Sequence, residues 1–207
     1  MRKTLTTVFG LILLSGCAYL GAAHYDELFG EEQPRERVVA ASTLEGAEFL
    51  SDVKPILDTR CVVCHGCYDA PCQLKLSSVE GIDRGLSKER VYDGTRLLAQ
   101  EPSRLLFDAT TTAQWREKGF TPVLNERVQT EEANLAGSVL YNSLVLKQSS
   151  PLPKQAILGD EFDFSLDREQ TCTTMNEFDS FAKDNPHSGM PYGLPGISSE
   201  EFQHLAK

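Results

Sequence analysis

Apolar positions fall into four stretches along the chain, and their spacing predicts helices rather than strands. Residues 8 to 14 form a short apolar run directly behind the basic start Met1-Arg2-Lys3. From residue 47 the pattern turns helical, with Phe49, Leu50, Val53, Ile56 and Leu57 on one face. Pro55 sits inside that run, so a kink or a restart is expected there. Residues 131 to 148, EEANLAGSVLYNSLVLKQ, predict a single helix capped by Thr130, with Glu131 and Glu132 at its positive end. Ser198 and Glu201 make the capping-box pair of a last helix. That helix meets no stop signal before Lys207, so the chain is expected to be truncated at its C-terminus. Residues 76 to 130 are mixed with few strand signals, residues 158 to 170 predict an acidic exposed loop, and no internal repeat is visible.

The first stretch sets the compartment. A basic start and a short apolar run form an export signal, too short to span a bilayer. It ends in Leu14-Ser15-Gly16-Cys17, the pattern of a lipoprotein signal cut after residue 16 and lipidated at Cys17. An ordinary signal cut after residues 21 to 23 is the alternative. The first reading predicts a periplasmic protein tethered to the membrane through Cys17, with residues 17 to 44, including the charged EEQPRER, as the tether. The 207 residues suffice for one domain with a core, here 45 to 207. A formal charge of −10 argues against nucleic acid as a partner.

The chemistry concentrates in RCVVCHGCYDAPCQLK, residues 60 to 75, which holds four of the six cysteines. Cys61, Cys64 and His65 spell CxxCH, the attachment pattern of c-type haem. Two cysteines three positions apart lie on one side of a helical turn, where each can bond one vinyl group, and the next residue offers an imidazole to the iron. A zinc site from Cys61, Cys64, Cys67 and Cys72 is chemically workable but leaves His65 idle. A thioredoxin-like redox pair wants a strand before its CxxC, and the pattern here is helical. Haem c is therefore the expected cofactor, with His65 as proximal ligand. Cys67 and Cys72 flank a turn containing Pro71 and could form a disulfide or remain free thiols. Cys172 is either buried or paired with one of them. For the distal side, Met190 in NPHSGMPYGLPG is the expected ligand, with His187 as its rival. The chain between His65 and Met190 is longer than a small cytochrome c needs, so an insertion at about 76 to 180 is expected.

The wider sequence resembles the bacterial fatty acid cis/trans isomerase family. The likeness rests on RCVVCHGCYDAPCQLKL, on RLLFDATTTAQWREKGFTPVLNE at 104 to 126, and on FAKDNPHSGMPYGLPGISSEEF at 181 to 202. The resemblance implies a periplasmic c-type haem enzyme that converts cis double bonds of phospholipid acyl chains to trans. Its partners would be membrane phospholipids with cis-unsaturated chains and, during maturation, the haem-attachment machinery. Trp115, Arg116, Lys118 and Phe120 either contact an acyl chain or headgroup or serve as core aromatics and surface charges. The expected fold is mainly α, a cytochrome c-like haem domain with a large insertion. The expected activity is haem-dependent isomerisation of membrane fatty acids, with a membrane-anchored electron-transfer cytochrome as the alternative.

Overall fold

The computed structural model describes residues 24, 26–67, 70–89, 92–93, 96–97, 103–154, 157–164 and 172–207. The chain is mainly helical, and the described strands are one short antiparallel pair, β1 (Tyr92–Asp93) and β2 (Arg96–Leu97). The first helical run has three segments: α1 (Leu44–Glu48), a π-helical turn (Phe49–Val53) and α2 (Lys54–Arg60). The break falls where Pro55 was expected to put it. The Lys54 N–H reaches back five residues to the Phe49 carbonyl, and Pro55, with no N–H to give, sits in the first turn of α2. A single turn, α3 (Val62–His65), follows at once.

Helix α4 (Val79–Arg84) is capped by Ser78, whose hydroxyl accepts from the Gly81 N–H. It stops at Gly85, which has a φ of 81° and lies so close to the Thr121 carbonyl that any Cβ would collide with it. That approach lets Leu86 and Thr121 exchange two backbone hydrogen bonds at 3.0 and 2.8 Å. Helix α5 (Thr112–Glu117) carries Trp115 into a small cluster with Ala109 and Phe120.

The single helix expected over 131 to 148 is two, α6 (Glu131–Ala136) and α7 (Val139–Ser149). Thr130 caps the first as expected. Gly137 ends it, and Ser138 starts the next by accepting from the Tyr141 N–H while its hydroxyl donates to the Val123 carbonyl. Serine competes with helical backbone bonding, so a buried Ser138 with two partners favours a break over continuity. Helix α8 (Phe178–Asp184) follows a 3₁₀ turn at Met175–Glu177, and α9 (Ser199–Leu205) opens with both halves of the capping box. Helix α9 closes at Leu205, with Ala206 as C-cap, rather than running to Lys207.

The main core joins these pieces: Leu57, Leu74, Leu76, Ile82, Leu86, Val123, Val139, Cys172 and Phe178 form one buried cluster. The far end of the chain returns to the start, where the Arg60 guanidinium forks onto Glu201 at 2.8 and 3.2 Å. The segment expected to be a tether is bonded to the body between Gly30 and Arg37. The Gln33 N–H donates to the Glu126 carbonyl, the Glu36 carboxylate accepts from the Thr112 N–H, and Arg37 binds Asp83 and the Asn125 carbonyl. Two charges of EEQPRER, Glu36 and Arg37, thus have partners on the body.

Candidate active site

Cys61 and His65 share one turn: the His65 N–H donates to the Cys61 carbonyl at 2.9 Å, and that of Cys64 at 3.1 Å. Both thiols are free and both line the same cavity. Burial and the neighbouring Cys64 push the Cys61 thiol up to about 11, while Cys64 is exposed. His65 is buried, with Nδ1 3.2 Å from the Leu74 carbonyl oxygen. A carbonyl can only accept, so Nδ1 carries the hydrogen and Nε2 keeps its lone pair for a metal. Burial also holds the His65 imidazole below its ordinary value, against the smaller upward pull of the Leu74 bond, and so keeps it neutral.

This makes stability depend on pH. A folded-state value below the unfolded one means that the unfolded chain binds the extra proton, so stability is full above the ordinary histidine value of 6.5 and is lost as pH falls below it. Denaturant titrations on either side of that value should show the loss, and His65→Ala should remove it. An unchanged profile in His65→Ala would assign the pH dependence to other groups.

The cavity has a volume of about 1340 Å³ and a mostly apolar wall. It exceeds the ~300–1,000 Å³ common for small-ligand pockets. Leu57, Leu74, Ile82, Val123, Leu140 and Leu144 are among its lining residues. Arg37 and Asp83 close one side as a 2.7 Å ion pair. Burial pushes the Asp83 carboxyl up, opposed by its bonds to Arg37.

Met190, 125 positions beyond His65 in the chain, lines this cavity too. Its loop is held where the Met190 N–H donates to the Ser143 carbonyl on α7 at 3.0 Å. The rival His187 does not line the cavity; its ring lies 5.4 Å from that of Phe162, and its buried Nδ1 has no hydrogen-bond partner among the described residues.

The remaining cysteines differ from one expectation. Cys72 is bonded to Cys172, with Cα atoms 5.5 Å apart, and Cys67 is free and exposed. The Cys67–Cys72 pair is therefore not formed. The turn through Pro71–Gln73 gives Cys72 a left-handed φ of 57° and packs it against the main core, where Cys172 is buried. Cys72 is thereby withdrawn from the four-cysteine zinc set, and no group of three or more metal-binding side chains assembles among the described residues. Pairing of Cys172 with Cys67 or Cys72 was one of the alternatives the sequence left open, and the bond to Cys72 is formed across 100 positions. Cys17 and its lipidation lie outside the described residues.

Trp115 and Phe120 are core aromatics, with ring centroids 5.0 Å apart, and do not line the cavity. Arg116 forks onto buried Glu126 at 2.9 and 2.7 Å. Sequence reasoning missed Arg84, which is fully buried against the Trp115 and Phe120 rings.

Fold and site together define a helical protein whose cysteine–histidine turn and methionine loop face one large apolar cavity. The profile of the fatty acid cis/trans isomerase (CTI) family matches residues 100–207. That is just over half of the chain, which therefore belongs to this family and is an isomerase of fatty acids. No curated protein and no solved structure matches it. The CxxCH turn precedes the matched stretch, yet the cavity draws its wall from both: Leu57 and His65 from before it, Val123, Leu140 and Met190 from within it.

Proposed function

We propose that the chain is a c-type haem isomerase acting on cis double bonds of membrane phospholipid acyl chains, built on a cytochrome c-like arrangement with an insertion. The observation that carries this reading is the convergence of Cys61, Cys64, His65 and Met190 on one apolar cavity. These residues fit haem c. Two free thiols three positions apart would form the thioethers, and a neutral imidazole with Nδ1 already committed offers Nε2. The Met190 thioether would supply the second ligand. When bound, such a group supplies a one-electron acceptor able to weaken the π bond. Rotation about an amide already faces ~18–20 kcal/mol, and a full C=C bond is stiffer.

The protein's own residues then do the rest. His65, locked to the Leu74 carbonyl, keeps one orientation. The apolar wall excludes water and accepts hydrocarbon, each buried methylene contributing about 0.8 kcal/mol. The Arg37–Asp83 pair keeps charge at the cavity side balanced, so an alkyl chain entering there meets no lone charge. The export signal would deliver the enzyme to the periplasm, and lipidated Cys17 would hold it at the membrane.

Membranes rich in cis-monounsaturated phospholipid, incubated with the purified protein, should yield trans chains. Haem-loaded protein that makes none, yet exchanges electrons rapidly with envelope redox partners, would support the electron-carrier alternative. For the distal ligand, Met190→Ala should abolish the weak sulfur-to-iron charge-transfer band of the oxidised protein, and His187→Ala should leave it. The reverse result would move the ligand to His187.

A further inference from the structure

Three successive carbonyls of one turn each receive a hydrogen bond from a different part of the chain. The Cys72 carbonyl accepts from the Ser87 N–H at 2.8 Å. The Gln73 carbonyl accepts from Nη2 of Arg84. The Leu74 carbonyl accepts from Nδ1 of His65. The turn itself is unusual, because Cys72 and Gln73 both have left-handed backbones, with φ of 57° and 50°. Such conformations cost of order 1–3 kcal/mol for ordinary residues and persist only where the surroundings hold them.

Arg84 is what holds this one from beneath. Its side chain has no exposed surface, and no carboxylate among the described residues pairs with it. Its guanidinium lies 5.6 Å from the Trp115 ring centre and 5.2 Å from that of Phe120. It donates to the Gln73 and Ser103 carbonyls. Ser103 in turn donates its hydroxyl to the Gln73 side chain at 2.7 Å. Arg116, anchored on Glu126, holds the Arg84 carbonyl at 2.8 Å. Burial pushes the Arg84 guanidinium down to about 10, still charged at neutral pH. A buried cation without a carboxylate is costly unless its donors are used. Here Nη2 is spent on the turn that carries the acceptor of His65 and Nη1 on Ser103, while Nε has no hydrogen-bond partner among the described residues.

We propose that Arg84 is a positioning residue for the axial imidazole: by fixing the Gln73 carbonyl, it sets the next carbonyl, that of Leu74, to receive Nδ1–H of His65 and leave Nε2 facing the cavity. This rests on the haem reading above for its consequence, but the positioning of His65 is testable without haem. Loss of the direct partner of a ligating histidine, here the Leu74 carbonyl, typically changes metal affinity roughly 10–100-fold, and Arg84 acts through that partner.

Two measurements on the full chain test it. In a Cys61→Ala, Cys64→Ala background, where haem is held without covalent bonds, Arg84→Met should weaken binding of ferric haem roughly 10–100-fold. In haem-free protein at one fixed pH, ¹⁵N spectra should show His65 protonated at Nδ1, and Arg84→Met should shift protonation toward Nε2. Trp115→Phe loosens the same cluster without removing a donor to Gln73, and should leave both readouts in place. If Arg84→Met does not fold, Arg84→Lys, which keeps the charge and one donor, should show a smaller shift of the same sign. Retained Nδ1–H and unchanged affinity in the Arg84 variant would overturn the proposal, as would an equal loss in Trp115→Phe. If no form binds haem, the haem reading fails, and the ¹⁵N result alone decides the role of Arg84.

Discussion

Alanine at both Cys61 and Cys64 is expected to strip covalent haem from the protein and to reduce trans-fatty-acid production to background. The two thiols line the cavity from one helical turn, and His65 follows in that turn. Without thioether bonds only axial ligation and apolar packing would retain the cofactor, and both are reversible. The native chain, made in a host with haem-attachment machinery, should keep its haem colour on a denaturing gel, and the double variant should not. Purified variant incubated with cis-monounsaturated phospholipid should then release no trans chains above the buffer control. Unchanged trans production by the variant would place the chemistry elsewhere in the cavity. A colourless native chain that still isomerises would remove haem from the reading, while leaving the family assignment intact.

Cys172→Ser is expected to lower stability by roughly 2–5 kcal/mol. The Cys72–Cys172 bond closes a loop spanning 100 positions, and long loops gain most from closure on the chain-entropy account. It also joins the turn that orients His65 to the segment leading into α8. Denaturant midpoints of native and variant protein, compared with and without reductant, check this. Reductant should lower the native midpoint toward that of Cys172→Ser and leave the variant where it is. Equal midpoints under all conditions would show that the bond does not form in solution. Should Cys67→Ser instead lower the midpoint, the pairing first expected from sequence would be the one used.

The particular residues show why some of this was legible. CxxCH could be read as one turn with two thiols and an imidazole because every constraint lies within five consecutive residues. The same holds for the break before Pro55 and for the caps at Thr130 and Ser198. Gly137 and Ser138 were not read as a break, because helical periodicity runs through them. What decides against continuity is the Val123 carbonyl, brought to Ser138 from outside the helix. Arg84 lies in the stretch read only as mixed, and nothing near it in the sequence marks it as buried. Only the approach of Trp115 and Phe120 buries it.

The sequence by itself determined the local chemistry of this protein: a helical chain, a thiol–thiol–imidazole turn, and a methionine in a Gly/Pro loop near its end. These depend on residues a few positions apart, where backbone geometry leaves few choices. The tertiary structure decided which distant groups meet. It brought Met190 rather than His187 to the cavity of His65, joined Cys72 to Cys172 rather than Cys67, and bonded residues 30 to 37 to the body. Such pairings are set by the packing of one shared core, and each stretch of sequence is compatible with more than one partner until that core forms.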